Sequence, residues 1–140
     1  MTNAEIEAEY DTLMRCLRCG ICCKETEMPL SAEDIERIER EGYRKNFFVQ
    51  FEEGYPVLRN LNNYCVFYDV ENQRCRIYHF RPLGCRLYPV VYDEQKGIVV
   101  DEICSAKGTG NEEKIARRGL KVIKLLQKID AEAENRRNLH

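Results

Sequence analysis

Tryptophan is absent from this chain of 140 residues, phenylalanine occurs five times, proline four times and histidine twice. With so few large rings, little apolar volume is available for a core. Two histidines, His79 and the terminal His140, support no convincing Ser-His-Asp or Cys-His catalytic set. No glycine-rich loop follows a strand-like run, as a nucleotide or methyl-donor site would need. No apolar run approaches the roughly 20 residues of a membrane span. The segment Met1-Thr2-Asn3-Ala4-Glu5-Ile6-Glu7 lacks the apolar stretch of a secretory leader. A cytoplasmic location is therefore expected. Charge of one sign is missing too, with 22 basic against 24 acidic residues. Neither nucleic acid nor an anionic membrane is an expected partner.

Cysteine is what the chain has in excess: eight in all. Four fall within Cys16-Leu17-Arg18-Cys19-Gly20-Ile21-Cys22-Cys23, and Cys65, Cys75, Cys85 and Cys104 are spread through the middle. In a reducing cytoplasm such thiols are expected as metal ligands, with four disulfides as the rival arrangement. Charged residues make up 33% of the chain, so bound metal would add to a small core's stability.

The length argues for a single domain over residues 1–140, with a cysteine core at 16–104. Thr2 and Glu5 suit a capping box for a short first helix, with Ile6, Tyr10, Leu13 and Met14 on one side. A second helix is expected after Ser31 as N-cap, with Asp34 at N3, Ile35 and Ile38 inward and Gly42 as C-cap. Phe47, Phe48, Val49 and Phe51 form an apolar patch expected in the core. The middle is strand-prone. Tyr64–Tyr68 and Cys75–Tyr78, joined by the polar run Asp69–Arg74, predict a hairpin with Cys65 and Cys75 on its two arms. Val90–Tyr92 and Ile98–Val100 predict a second hairpin around Asp93–Gly97. Gly108-Thr109-Gly110 breaks the chain before a long helix at about 111–136. Ile115, Val122, Ile123, Leu126, Ile129 and Ala133 recur there at helical spacing, and Leu120 and Leu125 widen the stripe. That helix is expected to pack over the sheet, with a homodimer or partner contact as the alternative. The fold class is a small α+β domain, with β-hairpins and flanking helices organised around cysteine-ligated metal.

The Cys16-x-x-Cys19-Gly20 knuckle turns two sulfurs toward one centre, and Cys22 extends the arc. Three such sulfurs and a remote fourth suit an iron–sulfur cube or a tetrahedral zinc. Cys23, adjacent to Cys22, suits a second site. One grouping joins Cys16, Cys19 and Cys22 to Cys85, leaving Cys23, Cys65, Cys75 and Cys104 as the second set. A single site with buried spare thiols is the other. Arg81 and Arg86 flank Cys85 and suit N–H···S contacts that offset a net-negative centre, or plain surface positions. Pro82 suits the first position of a short helical turn, and Pro89 its end. His79 suits a polar or core role better than ligation, given eight thiols.

These motifs carry a resemblance. Cys-x-x-Cys-Gly-x-Cys-Cys and the block Arg81-Pro82-x-x-Cys85-Arg86-x-Tyr88-Pro89 resemble the YkgJ-type cysteine-cluster family, described as zinc- or iron-chelating. The resemblance spans roughly Cys16 to Cys104. It implies that all eight cysteines occupy the family's cysteine positions. A similar cluster occurs in flagellin lysine methylases, which resemble this chain in that module alone. Two functions are expected. The first is an iron–sulfur protein of 4Fe-4S type that moves electrons or assists redox chemistry on a protein partner. The alternative is a Zn²⁺-stabilised interaction module without redox chemistry. A metal donor to an enzyme is a third. No catalytic motif of its own accompanies the cluster.

Overall fold

A computed structural model describes residues 23–101 and 112–138. The expected first helix, Cys16, Cys19, Cys22, Cys104 and the Gly108-Thr109-Gly110 break lie outside the described residues. What is described is a set of short antiparallel strand pairs beside a long C-terminal helix.

Helix α1 spans Ala32–Arg40. Ser31 caps it: its hydroxyl accepts from Asp34 N, and the Asp34 carboxylate accepts from Ser31 N, each at 3.1 Å. This reciprocal box satisfies two otherwise orphaned amides. Glu41 is the C-cap, and Gly42 lies one position beyond it at φ +103°, a left-handed geometry that favours glycine. Ile35 and Ile38 are buried as their spacing requires.

The apolar patch at 47–51 divides. A single helical turn, α2 (Lys45–Phe48), runs directly into strand β1 (Val49–Glu52). The switch of periodicity buries Phe48 and Val49 but leaves Phe47 and Phe51 at 38% and 51% exposure. Strand β2 (Tyr55–Leu58) returns antiparallel through Glu53 and Gly54, both at positive φ. Next come β3 (Asn60–Leu61) and β4 (Tyr64–Cys65), joined by Asn62 and Asn63 at φ 53° and 72°. Positive φ at both central residues is what a tight type I′ hairpin turn requires.

The expected hairpin around Asp69–Arg74 forms in a short version, with Cys75 on one arm but without Cys65 on the other. Cys65 stands opposite Asn60 in the β3–β4 pair. Cys75 belongs to β6 (Arg74–Cys75), opposite Tyr68 of β5 (Tyr68–Asp69). Tyr64 and Cys65 pair with Leu61 and Asn60 across the Asn62-Asn63 turn, so two strands of two residues replace one long arm. A 3₁₀ turn (Tyr78–Phe80) and helix α3 (Leu83–Leu87) follow. Pro82 precedes α3 as its N-cap residue, one position earlier than expected. The hairpin β7 (Val90–Asp93) and β8 (Gly97–Val100) forms as its sequence predicts. Asp93 accepts from the backbone of Gln95 and Lys96 within the turn, and Gly97 takes φ +80°.

Two cores result. The larger joins Leu30, Ile38, Phe48, Phe67 and Ile77. Phe67 is its hub, packed edge-on to Tyr43 at 5.0 Å and tilted against Phe48 at 5.6 Å. The smaller joins Leu87, Val90 and Val122. Helix α4 (Glu112–Asn138) lies across the β7–β8 hairpin and α3. Its buried line is Val122, Leu125, Ile129 and Ala133, so Leu125 is central rather than marginal. Leu120, at 61% exposure, lies off the stripe. Among the described residues no helix is long and apolar enough to cross a membrane.

Candidate metal centre

Four of the eight cysteines fall among the described residues, and all four meet the larger core. Cys65 is a buried member of it, and the half-buried Cys23, Cys75 and Cys85 pack against it. Each arrives on a different piece of chain.

Cys23 opens a segment that behaves as an added strand. Its carbonyl accepts from Cys65 N at 2.6 Å, and Glu25 N donates to Asn63 O at 2.7 Å. Three residues on, the Asn60 side chain grips Thr26. Its amide nitrogen donates to Thr26 O at 2.8 Å, and its oxygen accepts from Thr26 N at 3.0 Å. Asn60 thus bonds Thr26 as a strand neighbour would. Beyond it, Leu58 N donates to Met28 O and Leu30 N to Pro56 O, each at 2.9 Å. The segment carrying Cys23 is therefore fixed along its length to the strands that carry Cys65.

Cys85 sits mid-way in α3, and three features place it. A Cβ on Gly84 would collide with the Met28 sulfur, so glycine allows α3 to touch the Cys23 segment. Leu83 N donates to Asp34 Oδ1 at 3.0 Å, tying α3 to the start of α1. Asp34, only 1% exposed, also accepts from Arg37 Nη2 at 2.8 Å. The third feature is an arginine lattice. Arg37 Nη2 donates to Arg81 O at 3.0 Å, and Arg86 Nε donates to the same carbonyl at 3.1 Å. Arg86 Nη2 donates to His79 O at 2.6 Å, and Arg81 Nε to Tyr78 O at 2.9 Å, with its guanidinium 4.1 Å from the Tyr78 ring centre.

Arg81 and Arg86 are buried, at 8% and 4% exposure. The surface alternative is therefore excluded for both. Their donors named above go to backbone carbonyls of the Cys75–Cys85 loop, so they hold that loop's shape. His79 is exposed, edge-on to Tyr78. At the mouth of a neighbouring cleft, the Glu33 carboxyl is held below its ordinary range, chiefly by its hydrogen bond and charge contact with Lys128 at 2.8 Å.

Among the described residues, no three His, Cys, Asp or Glu side chains are arranged to hold a metal ion. Cys16, Cys19, Cys22 and Cys104 lie outside the described residues, so the grouping expected from the sequence is not decided by what is described. The donor chemistry does fit a soft metal: four thiols in or against one core, two buried guanidiniums nearby in the chain, and aromatic cover from Phe67, Tyr68 and Phe80. Any of Cys23, Cys65, Cys75 and Cys85 that serve as ligands would be completed by cysteines outside the described residues, and Arg81 and Arg86 would offset negative charge. An iron–sulfur centre would supply one-electron chemistry, and a zinc ion structural cross-linking.

Several positioning residues escape a sequence reading. Asp34 looks there like a cap alone, although Leu83 is 49 residues away. Asn60 carries no motif. The pair Asn62-Asn63 was the available signal for the β3–β4 turn. Arg118 of α4, 1% exposed, is a buried charge that the apolar spacing of the helix does not mark.

The CxxCxxCC family model, described as "Putative zinc- or iron-chelating domain", matches residues 15–105, more than half of the chain. A similar curated protein is "Uncharacterized protein MJ0661" of Methanocaldococcus jannaschii, 32% identical over 90 residues. That match covers 59% of this chain and 47% of the relative, so the chain spans about half the relative's length. No solved structure matches. With the family model matched over residues 15–105, the chain belongs to the CxxCxxCC, YkgJ-type family of zinc- or iron-chelating domains.

Proposed function

We propose that this chain is a metal-chelating cysteine-cluster protein that holds an iron–sulfur centre of 4Fe-4S type. It would act in the cytoplasm, passing electrons to a protein partner or assisting redox chemistry on it. The observation that carries this proposal is that Cys65 lies in one buried core and Cys23, Cys75 and Cys85, each on a separate piece of chain, pack against that same core. Thiols spread this widely along the chain need not meet, and a shared soft metal gives them a reason to. The buried Arg81 and Arg86 support a net-negative centre, and the aromatic surroundings favour a centre shielded from water.

Zinc is the second reading, favoured by the family description, which names zinc beside iron. In that case the sulfurs cross-link a structural module whose partner docks elsewhere, with the long helix as the docking element or as a homodimer contact.

Purification without air separates the two. A brown protein with broad visible absorption and matching iron and sulfide is expected. A colourless protein that retains stoichiometric zinc overturns the iron–sulfur proposal in favour of the second. Cys65→Ser should lower metal content on either account. Full metal content in that variant would remove Cys65 from the ligand set.

A further inference from the structure

The carbonyl of Cys23 accepts from Cys65 N at 2.6 Å, and Glu25 N donates to Asn63 O at 2.7 Å. Between those two bonds Lys24 and Tyr64 face each other as an antiparallel bridge. One step along this register, Cys23 stands opposite Cys65. Residues opposed in an antiparallel pair project to the same face, and in a hydrogen-bonded pair their α-carbons lie about 5.5 Å apart. Cys23 and Cys65 therefore present their sulfurs on one side of the strand pair, where both meet the larger core. The other two described cysteines are arranged differently. Cys75 stands opposite Tyr68, and Cys85 lies in α3.

The pairing is held from several directions. Asn60, opposite Cys65 in the β3–β4 pair, clasps both backbone groups of Thr26, three residues after Cys23. The bonds from Leu58 N to Met28 O and from Leu30 N to Pro56 O continue the same docking. The two cysteines cannot part without breaking this ladder. If each served its own thiolate-held centre, two net-negative centres would have to lie side by side at the edge of one small core. Like charges at that separation repel strongly where water is excluded. One centre that takes both sulfurs avoids the repulsion.

We propose that Cys23 and Cys65 are two ligands of one and the same metal centre, a cross-strand pair held in position by the backbone. The remaining ligands come from cysteines outside the described residues, because no group of three donors forms among the described ones. This inference rests on the metal-chelating part of the function proposed above, and it holds for iron–sulfur and zinc alike. The last cysteine of the Cys16–Cys23 run is then placed by strand pairing with β4. A metal bound there staples the Cys23 segment to β4.

The test loads the full-length protein with cadmium-113 in place of its metal. Proton–cadmium correlation spectra link the β-protons of each ligating cysteine to the ion it binds. The β-protons of Cys23 and Cys65 are expected to correlate with a single cadmium resonance. Correlations to two different resonances, or to cadmium from one of the two cysteines only, overturn the inference and leave metal chelation standing. A protein that takes up no cadmium and retains neither iron nor zinc from purification overturns the chelation reading, and this inference with it. Metal content of the purified protein gives a second measurement that needs no cadmium. Cys23→Ser and Cys65→Ser should each lose the same share, about half in a two-centre protein and all in a one-centre protein, and the double variant no more than either. Full metal content in either single variant, or a double variant that loses the sum of both, overturns the inference. Thermal melts check that the variants fold, and the wild-type cadmium spectrum decides the matter where a serine variant does not.

Discussion

Replacing Asp34 by alanine tests how the helix bearing Cys85 is anchored. The carboxylate is buried and accepts three hydrogen bonds: from Ser31 N, Arg37 Nη2 and Leu83 N. Alanine removes one half of the capping box, one member of an ion pair and the tie between α1 and α3. Removing one partner of a buried pair costs about 3–5 kcal/mol, because the other is left uncompensated. Arg37 is 23% exposed and can be partly resolvated, which moves the expectation to the lower end, roughly 3 kcal/mol. Asp34→Asn keeps an acceptor for Leu83 N but loses the charge, and should cost roughly half as much. Urea unfolding of both variants provides the measurement, with the slope unchanged if the denatured state is unaffected. The metal-loaded variant should also release metal faster to a chelator, since Cys85 sits two residues after Leu83. A loss below about 1 kcal/mol for Asp34→Ala, within the range of an ordinary surface cap, would refute the claim that this carboxylate joins the two helices.

Gly119 offers a test of sign. A Cβ there would lie 2.7 Å from Ile98 Cγ2, 3.1 Å from Cγ1 and 3.3 Å from Cβ, so no rotation of Ile98 clears it. Gly119→Ala should therefore destabilise by roughly 1 kcal/mol net, as overpacking of about 1–3 kcal/mol outweighs about 1 kcal/mol of helix propensity. In an Ile98→Ala background the same change should stabilise, and a double-mutant cycle without that reversal would contradict the close approach of α4 to β8. Glu33 provides a pH dependence. Its pKa is lowered in the folded state by Lys128, so its contribution is present above its ordinary value and is lost as pH falls through the lowered one. Because the pair is exposed, Glu33→Gln should remove less than about 1 kcal/mol at neutral pH. The difference from wild type should vanish in acid and shrink with salt. A difference that grows as pH falls would reverse the assigned sign.

The element pattern was legible where the local rule had no competitor. Ser31 and Asp34 marked a helix start by their own hydrogen-bonding chemistry. Val90–Val100 alternates around a turn that closes on itself, and helix α4 follows from apolar spacing. Cys65 and Cys75 illustrate the opposite case. Both runs are strand-prone, and nothing in their composition says which partner each takes. The Asn62-Asn63 turn decided the matter for Cys65 by closing a shorter loop. Phe47 and Phe51 were drawn into the expected core by composition alone, and the switch from helix to strand after Phe48 turned them outward.

Residue type and spacing are enough to mark a cysteine-cluster chain, since they fix which atoms are available to a soft metal. They also determine the family, because that motif survives without any knowledge of the fold. Tertiary structure alone decided that Cys23, Cys65, Cys75 and Cys85 share one core, that Arg81 and Arg86 are buried, and that Asp34 reaches Leu83. It alone set Cys23 opposite Cys65 across a strand pair. Such contacts depend on how separate elements meet, and the energy that selects one meeting comes from burial and hydrogen bonding summed over the whole molecule, which no local stretch of sequence contains.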